Sequence, residues 1–207
     1  MVSVKDVERQ SRILSFWFGN LNDGEVPPEE LSRMWWAKEL RTDEYIRQNF
    51  ETDLIDASEG GLREWEKTPL GTLALIILLD QFSRNIYRDT PRAFSQDTLA
   101  LEIAMSGIEK GFDKGLHPVM KVFFYMPFMH SENPEMQKKS LSLFMALERD
   151  FTSPPALARV LSTNRDYAER HYTTITRFGR YPHRNRILGR KSTPEEIEFL
   201  KEPGSSF

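Results

Sequence analysis

"TPLGTLALIILLDQFSRNIYRD", Thr68–Asp89, is the stretch on which the reading of the fold turns. Thr68 followed by Pro69 is an N-cap residue and then a proline at the first helical position, where its missing N–H is one the helix leaves unpaired anyway. Residues 73–79 are apolar on every side, the pattern of a helix buried all round. A buried strand competes for ALIILL, but the apolar positions continue to Phe82 and Ile86. That run is too long for an ordinary strand, and length decides for helix.

Working outward, almost every segment carries a helical period with its own start and stop. Val4–Phe18 offers Val7, Ile13, Leu14, Trp17 and Phe18 to one face, with Gly19 as the stop. Pro27 and Pro28 precede EELSRMWWAKEL, with Leu31, Trp35 and Leu40 available for one face. Thr42 is the expected cap of a helix carrying Tyr45, Ile46, Phe50, Leu54 and Ile55, which ends at Gly60 and Gly61. Further helices follow Pro91, His117-Pro118, Asn133-Pro134 and Ser153-Pro154-Pro155. A last capping signature, Ser192/Thr193-Pro194-Glu195-Glu196, precedes IEFLKE. The expectation is an all-α fold of about nine helices, with no strand and no hairpin, in a single domain over residues 1–207.

Composition narrows the partners. The chain has no cysteine, so disulfides and thiolate metal sites are excluded and a reducing compartment fits. The N-terminal residues scatter their charges and do not read as a signal peptide. The longest apolar run falls far short of the roughly 20 residues that span a bilayer. A cytoplasmic protein without membrane attachment is expected. The net charge of -3 makes nucleic acid an unexpected partner. That charge is unevenly spread: residues 1–66 hold eight Lys/Arg against fifteen Asp/Glu, while residues 165–191 hold eight against two. Either an interaction surface or two mutually attracting halves would account for it.

Familiar chemical motifs are absent. Gly189-Arg190-Lys191-Ser192-Thr193 has the look of a P-loop end, but position 184 is Arg rather than Gly and Arg190 separates Gly189 from Lys191. His117, His130, His171 and His183 show no i,i+3 or i,i+4 ligand spacing, so neither a metal nor another cofactor is expected.

Three stretches carry polar groups worth testing as a site. Asp80 and Arg84 are i,i+4 at the end of the apolar helix, and Gln81 and Asn85 likewise. The alternative for them is a surface ion pair with solvated amides. In FFYMPFMHSEN, Pro127 should kink or end the helix, and His130 and Glu132 follow it as an acid–base pair. The plain alternative is a histidine favouring a helix C-terminus, with Glu132 facing water. RFGRYPHRNRILGR, with arginines at 177, 180, 184, 186 and 190, should leave its helix near Gly179 and spread Arg180, His183, Arg184 and Asn185 over a loop. Arginine forks suit carboxylate or phosphate; pairing with the acidic N-terminal half is the structural alternative.

Taken together, ILSFWFG, WWAK, GTLALIILLDQFSRN, YMPFMHSE, RFGRYPHRN, LGRKST and EPGSSF, in that order over nearly the whole chain, resemble the DUF924 family of uncharacterised proteins. The resemblance implies a tetratricopeptide-like all-α superhelix and no established activity. From the residues themselves, the leading expectation is a polar, arginine-lined pocket for a small anionic molecule. Asp80, Gln81, Arg84, Asn85, Arg180, His183, Arg184 and Asn185 would bind, and His130 and Glu132 would carry protons. The rival expectation is an interaction module that receives a peptide or protein partner.

Overall fold

A computed structural model describes residues 3–22 and 24–206. Among them are nine helices and no strand. They are α1 (Val4–Phe18), α2 (Glu29–Trp36), α3 (Leu40–Ser58), α4, α5 (Asp97–Glu109), α6 (Pro118–His130), α7 (Pro134–Asp150), α8 (Pro155–Phe178) and α9 (Pro194–Phe199). Helix α4 has three parts: an α-helical Pro69–Ile76, a π turn over Ile77–Phe82, and an α-helical Ser83–Ile86. Short 3₁₀ turns cover Arg63–Lys67, Pro91–Phe94 and Pro182–Arg184.

The cap signals operate as read. The Thr68 hydroxyl accepts from the Gly71 amide at 3.1 Å, and Asn133 Oδ1 accepts from Glu135 at 2.8 Å. Thr193 and Glu196 close a reciprocal capping box. Two boundaries differ. Helix α2 stops at Trp36, because Ala37 is extended, and α3 begins at Leu40 rather than after Thr42. Leu40 therefore opens the next helix and lies in solvent instead of serving α2. Val7, Tyr45 and Ile55 are also exposed, each at the margin of its apolar stripe.

Helix α4 is the axis of the molecule. Leu73–Leu79, Phe82 and Ile86 are all buried, as all-round apolarity requires. Rings from three other helices gather beside it: Trp17 of α1 lies 5.4 Å from Phe82, Phe50 of α3 lies 4.8 Å from Phe82, and Phe123 of α6 lies 5.6 Å from Trp17. Each edge-on or tilted pair adds about 0.5–1.5 kcal/mol to the burial of its rings. Helices α5 and α6 close on the same axis through Gly107, where a Cβ would come within 2.6 Å of the Phe124 ring and 3.0 Å of the Thr72 methyl.

Pro127 sits inside α6 and the helix ends three residues later, at His130. Helix α8 stops at Phe178, where Gly179 takes φ +69°, a left-handed conformation that glycine adopts without penalty. The chain then turns back over the ends of α5 and α6. No helix is long and apolar enough to cross a membrane among the described residues.

Candidate functional site

The π turn of α4 places a carboxylate where only protein reaches it. Asp80 is fully buried. Its Oδ1 lies 2.7 Å from His130 Nδ1 and 3.3 Å from an Arg84 nitrogen, and its Oδ2 accepts from Gln81 at 2.5 Å. Burial alone would push this carboxyl up, but the Arg84 charge and the bonds from His130 and Gln81 outweigh it and hold it well below the usual range. An ionised carboxylate can only accept, so Nδ1 of His130 carries the proton and Nε2 holds the lone pair. π turns of this kind recur at functional sites.

Arg84 reaches from Asp80 to Asp97, the first residue of α5. One guanidinium nitrogen stands 3.0 Å from Asp97 Oδ1 and 3.1 Å from Oδ2. Arg184 meets the same carboxylate from the other side, 3.1 Å from Oδ2, and donates to the His130 carbonyl at 3.1 Å. Its guanidinium lies 4.6 Å from both the Phe94 and the Tyr181 ring centroids, within cation–π range. Arg184 is 6% exposed. Burial first, and then the neighbouring Arg84 charge, draw its pKa down. Two of its five N–H groups are used; Nε–H is buried and has no partner.

A cavity of about 360 Å³ opens here. Arg184, His130, Glu132 and Asp97 line it beside Thr98, Ser131 and the apolar Phe94, Leu101, Pro91 and Leu188. Such a volume takes a small molecule. Burial, with Arg84, keeps the His130 imidazole below its ordinary pKa against the pull of Asp80. His171, whose ring lies 6.4 Å from that of His130, is held well below by burial, and His183 is brought to about 3 by burial and Arg184.

The expected site residues divide. Asp80, Gln81, Arg84, His130 and Arg184 come together, and Glu132 and Arg184 share the cavity wall with His130. Glu132 has other partners, however. Arg190 holds it through two bonds of 2.6 and 2.9 Å, and the Tyr181 amide adds a third at 2.8 Å. Burial raises its carboxyl less than these donors lower it, so it stays ionised. The partner of His130 is Asp80.

Asn85 points the other way, to Asp43 of α3 at 2.8 Å, where Arg88 also binds. Adjacent rows of α4 thus serve opposite neighbours. Arg180 clamps Glu196 of α9 at 2.6 and 2.8 Å, and Asn185 donates to that carboxylate at 3.2 Å. Neither lines the cavity. His183 stands behind it, its ring 5.5 Å from that of Tyr181.

The carboxylates that meet this arginine-rich stretch are Asp89, Asp97, Glu132, Glu195 and Glu196. All lie outside residues 1–66. The acidic residues of 1–66 pair instead with Arg9 and Arg12, through Asp53, and with Arg88 of α4, through Asp43. Arg184 is thus paired through Asp97, yet only in part. Asp97 and Phe94 also belong to the site and carry no motif in the sequence, and Arg190 sits within the Gly189–Thr193 stretch that looks like a P-loop end.

The fold and the site define a class: an all-helical protein whose buried central helix hands an ionised carboxylate to a histidine at a cavity wall. Among the described residues no cluster of three or more His, Cys, Asp or Glu is arranged to hold a metal ion. The profile of DUF924, a bacterial protein family of unknown function, matches residues 13–204, and the chain belongs to that family. The chain is also similar to a solved structure, the Protein of Unknown Function ATU0120 from Agrobacterium tumefaciens. The two are 30% identical with a TM-score of 0.80, over 94% of this chain and 98% of that one. No curated protein matches the chain.

Proposed function

We propose that the cavity between α5, the end of α6 and the 181–190 turn binds a small amphipathic anion. The observation that carries this reading is Arg184: nine-tenths buried, with unspent N–H donors, at a cavity wall. A buried donor without a partner costs about 1–3 kcal/mol, and acceptor oxygens on a ligand would remove that cost. The surrounding charges are balanced within the protein, since Asp80 and Asp97 answer Arg84 and Arg184, and Glu132 answers Arg190. Recognition then rests on unused donors and apolar walls rather than on a large positive field. Phe94, Leu101 and Leu188 would take an apolar body, and Thr98 and Ser131 would offer hydroxyls.

The rival, a tetratricopeptide-like groove for a peptide, has less support. The exposed large apolar residues, among them Val4, Trp36, Tyr45, Leu70, Met105, Met145, Tyr167 and Ile197, are spread one or a few to a helix. Mass spectrometry of small molecules released from gently purified protein tests the proposal. It is supported by an acid lost on Arg184→Met, and opposed by a bound peptide retained in that variant.

A further inference from the structure

We propose that Asp80 and His130 form a general-base dyad for this pocket, in which His130 Nε2 takes a proton from a hydroxyl on the bound carboxylate. The inference rests on the pocket reading above and names its substrate class: a small hydroxy acid with an apolar body.

The geometry assigns the parts. Asp80 is a positioning residue. It is fully buried, bound by Gln81, Arg84 and His130, and accepts only, so it fixes the imidazole with Nδ1–H inward. Nε2 is left without a partner among the described residues, on a side chain that lines the cavity. This is the arrangement in which a carboxylate orients a histidine for proton transfer. Arg184, in the same wall, holds the carboxylate of the ligand.

The step balances without a co-reactant. The ligand O–H bond breaks and an Nε2–H bond forms. The imidazolium is answered by the Asp80 carboxylate, and the alkoxide by the donors of Arg184. The proton returns by the reverse path. The charged or titratable groups around His130 are Asp80 and Arg84 from α4, Asp97 from α5, Glu132 on the same cavity wall, His171 from α8 with Tyr181 against it, and His183 and Arg184 from the final turn. Arg84 is the cation that weakens the base. An anion seated at Arg184 offsets that charge, so binding strengthens the base when it is needed.

The test uses full-length protein labelled uniformly with ¹⁵N, and His130→Gln to assign the His130 signals. Long-range ¹H–¹⁵N spectra report its tautomer and its titration midpoint. The probes are mandelate, which carries the hydroxyl, and phenylacetate, which lacks it. The expected result is an Nδ1–H tautomer in the free protein, a midpoint below the ordinary value of about 6.5, and a rise of at least about half a pH unit with mandelate. Phenylacetate should perturb the Thr98 and Leu101 amides but move the midpoint less. A free protein with Nε2–H overturns the dyad whatever binds, as does a midpoint that mandelate saturation leaves unmoved. If neither probe disturbs the Thr98, Leu101 and Ser131 amides, the pocket reading fails. That failure is read from different signals, and the step that rests on the pocket falls with it.

Discussion

Asp80 and His130, 50 residues apart in the chain, meet at 2.7 Å, and the other partners of that carboxylate, Gln81 and Arg84, are donors too. The contact ties the middle of α4 to the end of α6 and fixes which imidazole nitrogen faces the cavity. Breaking a buried, hydrogen-bonded pair from one side costs about 3–5 kcal/mol. Asp80→Ala should show a loss of that order in urea unfolding, and a loss below about 1 kcal/mol would mean that Arg84 and His130 do not depend on it.

Acid should unfold this protein earlier than its net charge suggests. His130, His171 and His183 all have folded pKa values below the ordinary one, mainly through burial. Below about pH 6.5 the unfolded chain therefore binds more protons than the folded one, and stability falls as pH drops. The slope is about 1.4 kcal/mol per pH unit for each histidine that stays neutral. Asp80, depressed in the folded state, adds stability that is lost only at still lower pH. Unfolding midpoints between pH 7.5 and 5 should fall steeply in the wild type and less steeply in His183→Gln. Parallel curves would contradict this.

Arg180 belongs to the architecture rather than to the pocket. Its fork on Glu196 anchors α9 to the turn after α8, and Glu196, held by Arg180 first, stays ionised down to about pH 2. Arg180→Gln should lower the thermal midpoint and leave the affinity for any pocket ligand unchanged. A selective loss of affinity would return Arg180 to the site.

Gly107 sets how closely α5 approaches α4 and α6, and with that the position of Asp97. Its missing Cβ would fall 2.6 Å from Phe124, a buried ring with little room to move. Overpacking of this kind costs about 1–3 kcal/mol. Gly107→Ala should show that loss although alanine favours helix, and a gain in stability would mean that the ring yields freely.

Much of the fold was legible in the sequence because its signals are local. Thr68-Pro69, Asn133-Pro134 and Gly179 act on their own turns, and the all-round apolarity of residues 73–79 leaves α4 nowhere to go but the centre. The site was legible only in its members. His130 and Arg184, both singled out in the sequence, line the cavity, but the pairing of His130 with Asp80 instead of the nearby Glu132 depends on how α6 crosses the π turn. Neither that turn nor the crossing has a sequence signature of its own. Asn85 misled because i,i+4 spacing brings it near Gln81 without saying which neighbouring helix each will meet.

The central claim is that Arg184 holds its unspent donors for an anion. Arg184→Met removes one partner of Asp97, but Asp97 keeps Arg84, so stability should fall by less than the roughly 3–5 kcal/mol of a buried pair left unanswered. The most direct measurement is the thermal midpoint of wild type and Arg184→Met against a panel of aliphatic and aromatic carboxylates and phosphate monoesters. A ligand at a hundred times its Kd adds about 2.7 kcal/mol, a rise of roughly 5–10 °C for a chain of this size. The account predicts such a rise for at least one acid in the wild type and none in Arg184→Met. Equal shifts in both proteins, or no shift across the whole panel, would contradict it.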